Sequence, residues 1–298
     1  MDDLPIIDPH HHLWDLEQHR YPWLQDEVKP ALFGDYTALR KSYLRADFLA
    51  DARNQNVVKS VHLDVGFDPA DPAGETRWLQ GLADRHGYPH GIVGFADLSR
   101  PDVEGLLAAH CSATNFRGIR QSLNYHADPV KTYLDRPGVS MEADWRRGFA
   151  LLRRFDLSFD LQIYYPQMAE CHELAKAFSD TQIILNHTGM PVEQTPEHFE
   201  GWKKSMRQLA QAPNVACKIS GLGMGNFHWK LEDIRPWVLA AIDLFGVDRC
   251  MFASNFPVDK LFSSYDAIFD AFKAITKDFA AADRRRLFHD NAERFYRL

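Results

Sequence analysis

The sequence predicts one (β/α)8 barrel over residues 1–298, and three observations carry that prediction. Eight short apolar runs alternate with helical patterns down the whole chain. Several runs are almost continuously apolar, such as Ile183-Ile184-Leu185, as expected of parallel strands buried on both faces. The first run ends in Asp8-Pro9-His10-His11-His12. An open doubly wound sheet, the alternative, usually carries a glycine-rich phosphate turn there. Simple division of 298 residues suggests two domains. Barrels of about 250 residues are nevertheless single domains, and no linker, repeat or low-complexity tract divides this chain.

The candidate strands are Leu4–Asp8, Val57–Asp64, Gly91–Ala96, Phe116–Gln121, Ser158–Ile163, Gln182–Asn186, Val215–Ser220 and Cys250–Ser254. Helices follow with apolar spacing of three and four. Trp145, Phe149, Leu152 and Phe155 share one face after the fourth strand. Met168, Cys171, Leu174 and Phe178 do so after the fifth. Trp237, Val238, Ala241, Ile242 and Phe245 follow the seventh, with Pro236 expected in the first turn, where proline is tolerated. Ala282–Leu298 closes the chain.

Two connections are long, from Trp14 to about Leu44 and from Asn124 to about Met141. Both leave carboxyl ends of strands, so both should overhang the catalytic face of a barrel. The first is rich in aromatics and proline (Tyr21, Pro22, Trp23, Phe33, Tyr36). It suits a lid or a subunit contact, the latter implying a homodimer.

Composition narrows the function classes. The chain is 45% hydrophobic and 25% charged, with a net charge of -7. The charge argues against a nucleic-acid partner, which would need a basic face. No apolar run approaches the ~20 residues that cross a bilayer, so no membrane association is expected. Cys111, Cys171, Cys217 and Cys250 form no Cys-x-x-Cys pair and read as buried thiols of a reducing compartment. The acidic start Met1-Asp2-Asp3 does not look like a signal peptide, so a cytoplasmic location is expected.

The strand ends list the chemistry. Side chains alternate along a strand, so His10 and His12 share a face and His11 takes the other. A tag remnant is unlike this motif, which sits between Ile6-Ile7 and Leu13-Trp14. Paired imidazoles there can hold a divalent metal or steer a proton. The second strand adds His62 and Asp64, the fourth Arg120, the fifth Gln162 and Tyr164. The sixth ends in Asn186-His187, the seventh carries Lys218 and Ser220, and the eighth ends in Ser254-Asn255. One histidine would read as packing, but this convergence reads as a site. Lys218 lies within a strand, so its ammonium needs a carboxylate or an anionic ligand. Arg120 suits a substrate carboxylate or a polarised carbonyl. The structural reading of both cations is an ion pair with a strand-end carboxylate such as Asp64. Gly221-Leu222-Gly223-Met224-Gly225 reads as a loop that makes room for ligand.

With these residues assembled, the chain resembles the amidohydrolase superfamily, in particular the branch of sugar lactonases and pyrone-dicarboxylate lactonase. The resemblance spans essentially the whole chain. It rests on Asp8-Pro9-His10-His11-His12-Leu13-Trp14, Phe116-Arg117-Gly118-Ile119-Arg120 and Leu185-Asn186-His187-Thr188-Gly189-Met190-Pro191. Further matches are Cys217-Lys218-Ile219-Ser220-Gly221-Leu222, Met251-Phe252-Ala253-Ser254-Asn255-Phe256-Pro257-Val258 and Asn291-Ala292-Glu293-Arg294-Phe295-Tyr296. It implies a hydrolytic site at the carboxyl face of the barrel. In many members the His-x-His pair and the sixth-strand histidine bind a divalent metal such as zinc, here His10, His12 and His187. In the lactonase branch a metal is often dispensable, and the seventh-strand basic residue, here Lys218, helps to polarise the scissile carbonyl.

One departure matters. The family's eighth strand usually reads Ser-Asp-Trp-Pro, and the aspartate is the general base. Here it reads Ser254-Asn255-Phe256-Pro257. A carboxamide cannot accept a proton near neutral pH, although it can orient water or donate to an oxyanion. It also offers a neutral oxygen where a metal would prefer an anionic one, so a weak or absent metal site is expected. Asn186 likewise stands where relatives often carry Asp. The replacement base is sought among His12, His187 and Asp259, with His187 preferred. The expected function is hydrolysis of a lactone or related cyclic ester of a sugar acid or an aromatic-catabolism intermediate, a small-molecule lactone or carboxylate. Lys218, His10 and His12 would polarise the carbonyl and Asn255 would hold the water. Arg120, Asp64, Gln162, Tyr164, Trp229 and Asp259 would bind substrate. No cofactor, or one divalent metal, is required. The alternatives are a decarboxylase-type lyase of the same superfamily and a ligand-binding barrel with little catalysis.

Overall fold

The computed structural model describes residues 4–298. Eight parallel strands run in sequence order: β1 Ile6–His11, β2 Val57–Leu63, β3 Gly91–Phe95, β4 Phe116–Ser122, β5 Ser158–Gln162, β6 Ile183–Leu185, β7 Val215–Ile219 and β8 Cys250–Phe252. Between and after them lie α1 Arg45–Ala52, α2 Gly74–His86, α3 Val103–Cys111, α4 Ala143–Arg154, α5 Met168–Ala177, α6 Pro196–Leu209, α7 Leu231–Phe245 and α8 Tyr265–Ile275. The sheet is the predicted barrel. Its seam is closed just past β8, where Asn255 N–H donates to His10 O at 2.8 Å and His12 N–H to Phe256 O at 2.7 Å. Asp8 fastens the same seam. Its carboxylate accepts from Ser254 Oγ at 2.6 Å, from Ser254 N–H at 3.1 Å and from the Tyr265 hydroxyl of α8 at 3.0 Å.

Alternation along the strands sorts the side chains into an outer core and a filled interior. Outward residues such as Ile119, Phe159, Cys217, Ile219 and Phe252 are buried under the helices. Inward residues Ile7, Val61, Leu63, Val93, Ile184, Ala216 and Met251 fill the amino end of the barrel. Tyr296, from the C-terminal helix Asn291–Tyr296, plugs that end. The carboxyl end is left to polar side chains.

Local chemistry explains the element ends. Thr195 caps α6 by accepting from His198 N–H, with Pro196 at its first position, and Ser264 caps α8 by accepting from Ala267 N–H. Three expectations need correction. His10 and His11 belong to β1 itself, which runs to His11 with His12 just past it, and a register shift between Asp8 and His11 against β2 marks a bulge. Pro236 lies inside α7 rather than in its first turn. The helix starts at Leu231 because the Asp233 carboxylate accepts from Lys230 N–H at 2.8 Å. Cys111 is exposed, because it ends α3 where the amphipathic face has run out, while Cys171, Cys217 and Cys250 are buried. No helix among the described residues is long and apolar enough to cross a membrane.

Candidate active site

The carboxyl ends of the strands open into a cavity of about 530 Å³. The two long connections wall it, through Trp23, Phe33 and Tyr36 on one side and Val130 and Tyr133 on the other. Its polar floor is His12, Arg120, Gln162, His187 and Asn255.

His10 and His12 lie on one face, with ring centroids 5.0 Å apart, and His187 sits 4.4 Å from His10. His11 points outward, stacks on Phe48 at 4.2 Å and pairs its Nε2 with Ser60 Oγ at 3.0 Å. Burial drives the pKa of His10, His12 and His187 well below the usual imidazole value, and the Lys218 and Arg120 cations beside them push the same way. All three rings are therefore neutral at pH 7.

Neutrality fixes the tautomer of His12. Its Nδ1 lies 2.8 Å from Leu63 O, and a carbonyl only accepts, so the proton sits on Nδ1. Nε2 is then a bare lone pair, 3.4 Å from Asn255 Oδ1. At its other end Asn255 Nδ2 donates to Asp259 Oδ1 at 2.8 Å. Two acceptors thus face one another across the cavity floor, an arrangement completed by a group with two protons to give.

The backbone is bent to place these groups. Asn255 has φ 58° and His187 φ 51°, both in the left-handed region that non-glycine residues enter at a cost. His187 opens the short turn His187–Gly189, and its Nδ1 lies 3.1 Å from Ser220 Oγ. Gly221 makes room for that ring. It has φ 63°, and a Cβ there would lie 2.8 Å from His187 Nδ1. The glycine-rich stretch after β7 is a short helical turn, Leu222–Gly225, and its value to the site is this clearance.

Lys218 lies one layer lower. It is fully buried, pairs with Asp160 at 2.6 Å, donates to Pro9 O at 3.2 Å and lies over the Tyr296 ring. Burial lowers its pKa to about 8, against the pull of Asp160. It does not line the cavity, and neither does His10, which sits above it. Asn186 belongs to the same lower layer and donates to Asp160 Oδ1 at 3.0 Å. Arg120 does line the cavity. It donates to the Asp64 backbone carbonyl, lies 3.5 Å from the Asp64 carboxylate and 3.2 Å from Gln162 Oε1, and its buried Nε has no protein partner. Asp64 therefore steadies Arg120 from outside the lining. Asp259 stands behind Asn255, where burial raises its carboxyl to about 7. Tyr164 and Trp229 lie outside the lining, and the Tyr164 hydroxyl donates to Lys131 O at 2.5 Å.

Sequence reasoning missed three contributors. Asp8 and Asp160 are inward or seam carboxylates within strands, where only a partner in space gives them a role. Glu75 comes from α2 and faces His62 Nε2 at 3.5 Å. Asp160 and Glu75 carried no strand-end signal, and Asp8, which ends the first predicted strand, was read only as part of the histidine motif.

Comparison with known proteins agrees with this fold. The amidohydrolase family profile matches residues 7–298. A Sinorhizobium fredii protein, y4mH, described as uncharacterised, is 67% identical over the full length of both chains. An L-fucono-1,5-lactonase of Burkholderia multivorans is 27% identical, covering 98% of this chain and 96% of its own. A crystal structure of an amidohydrolase from Burkholderia multivorans with bound zinc superposes with a TM-score of 0.82 at 27% identity, over 98% of this chain and 99% of that one.

The residues fit a divalent ion in donor chemistry. Both ring nitrogens of His10 are buried without a protein partner, beside two further neutral imidazoles. The fit is loose. Among the described residues, the His, Cys, Asp and Glu donors that converge within 4.8 Å are His289, Asp290 and Glu293, which belong to the closing C-terminal segment. Arg285 and Lys59 already pair with those two carboxylates.

Proposed function

The chain belongs to the amidohydrolase family, and within it we propose that it is a hydrolase of a lactone or related cyclic ester. The observation that carries this reading is the pair of acceptors on the floor, His12 Nε2 and Asn255 Oδ1, 3.4 Å apart. A water that donates to both is held and aimed by Asn255, and His12 takes its proton as the oxygen attacks the carbonyl. His12 is preferred to His187 as the base because the Leu63 carbonyl holds its proton on Nδ1 and leaves Nε2 bare. His187 closes the opposite side of the carbonyl.

Polarisation of the carbonyl falls to Arg120. Its guanidinium lines the cavity floor as a fixed cation, where developing oxyanion charge is best stabilised. Lys218 acts through His10 and not on substrate. Burial keeps that ring neutral, and the Lys218 cation beside it pushes the same way. As the acyl–oxygen bond breaks, the His12 imidazolium returns its proton to the departing ring oxygen, so the product is a single ring-opened hydroxy acid. Where a divalent metal such as zinc binds, His10, His12 and His187 would hold it and it would supply Lewis-acid polarisation of the carbonyl.

The test is a pH-indicator assay on a panel of five- and six-membered lactones, with and without a chelator. Acid release in both arms, lost in His12→Gln, is the expected outcome. A folded protein that releases no acid from any lactone contradicts the reading.

A further inference from the structure

We propose that the substrate is a lactone bearing a bulky apolar substituent, aryl or alkyl, and not a polyhydroxylated sugar lactone. The inference rests on the hydrolytic reading above for the word lactone, and on the cavity for the rest.

The cavity walls are apolar. Trp23, Phe33, Tyr36, Met190, Met224 and Val258 line the cavity above the floor. The apolar character continues to the mouth, where Val130 and Tyr133 line the cavity yet remain 38% and 46% exposed. Exposed apolar side chains at a cavity lip are costly unless a ligand covers them.

Several polar groups of the wall are spent on one another. Trp23 Nε1 donates to Val65 O at 2.7 Å. Gln162 accepts from Arg120 at 3.2 Å and donates to Asn124 at 3.2 Å. Thr132 Oγ1 donates to Leu134 O at 3.1 Å, and the Asn255 amide is divided between His12 and Asp259. Asp26, at the rim, is paired with Arg20 at 3.0 Å. What stays free for substrate lies at the two ends, Arg120 and His187 on the floor and Glu27 and Lys29 at the rim, with the apolar wall between them. A sugar lactone would bring several ring hydroxyls into this space and leave them without partners.

Size points the same way. A cavity of about 530 Å³ lies in the range of drug-sized ligands, whereas a monosaccharide lactone has only about a dozen non-hydrogen atoms. The unused volume is the apolar part. One polar end, the lactone carbonyl, sits at Arg120, and the substituent extends between the two long connections toward Val130 and Tyr133.

The experiment compares kcat/KM for 3,4-dihydrocoumarin and δ-decalactone with that for L-fucono-1,5-lactone. In parallel it measures binding of 4-phenylbutyrate and L-fuconate by tryptophan fluorescence. The expected result is a preference of roughly 100-fold or more for the apolar lactones, the scale on which an apolar pocket rejects hydroxyl-bearing analogues. Phe33→Ser should raise KM for them with little change in kcat. Faster turnover of the sugar lactone overturns the proposal and leaves the hydrolase standing. If no lactone is turned over, the hydrolytic reading falls. Tighter binding of 4-phenylbutyrate than of L-fuconate then upholds the apolar ligand class, and the reverse order overturns it.

Discussion

At the scale of single residues, the site depends on which atoms carry protons. His12 is useful because Leu63 O fixes its tautomer, and Asn255 because its amide is oriented by Asp259. Asn255→Asp would set a second buried carboxylate against Asp259 at hydrogen-bond distance, and one of the two must then hold a proton. It would also add an anionic oxygen to the imidazole cluster. Zinc affinity, measured by competition with a chromogenic chelator, should rise at least tenfold. Unchanged affinity would separate Asn255 from the imidazole site. Gly221→Ala tests the clearance around His187. A Cβ at φ 63° and 2.8 Å from Nδ1 should cost roughly 1 kcal/mol or more in a denaturant titration, and should lower kcat by displacing the ring. The residues of the floor were legible in the sequence, since His12, Arg120, Gln162, His187 and Asn255 all fall at strand ends. The depth of Lys218 was not. Alternation tells which way a side chain points, and a strand residue two positions deeper points the same way into a different layer.

Among the elements, β5 and β7 are joined across the interior by Asp160 and Lys218. Asp160 Oδ1 also accepts from Tyr296 at 2.7 Å, which ties the C-terminal plug to the same pair. Lys218→Met leaves a buried carboxylate without its cation and should cost about 3–5 kcal/mol by chemical denaturation. Adding Asp160→Asn should recover most of that loss, because the uncompensated charge is gone. A double variant as unstable as the single one would refute a pairwise origin. The strand and helix order was readable from period alone. The bulge in β1 was not, because a two-residue alternation hides a single inserted position. The start of α7 was missed because Asp233 reads equally well as a surface acid and as a cap.

For the whole molecule, a single barrel buries imidazoles that an unfolded chain would protonate. Burial lowers His11 to about 3 and His110 to about 4, and His10, His12, His62 and His187 well below the usual value. Below pH 6.5 the unfolded state binds protons at these six positions that the native state refuses, so stability falls as pH falls. Asp8, Glu75 and Asp259, the last at about 7, have raised values and work in the opposite sense. Their contribution is present at low pH and is lost as pH rises through the folded value. The histidines outnumber the carboxyls, so acid between pH 6 and 5 is destabilising on balance. Denaturant midpoints across that interval should fall steeply with acid, and a flat profile would mean that the imidazoles are charged in the native state.

The most direct measurement of the central claim is kcat for lactone hydrolysis by His12→Gln beside His187→Gln, each checked for native circular dichroism. His12 as the base predicts a loss of roughly 10²–10⁴ in kcat for His12→Gln, with the smaller loss at His187. Retained turnover in folded His12→Gln would contradict it and move the proton to another group.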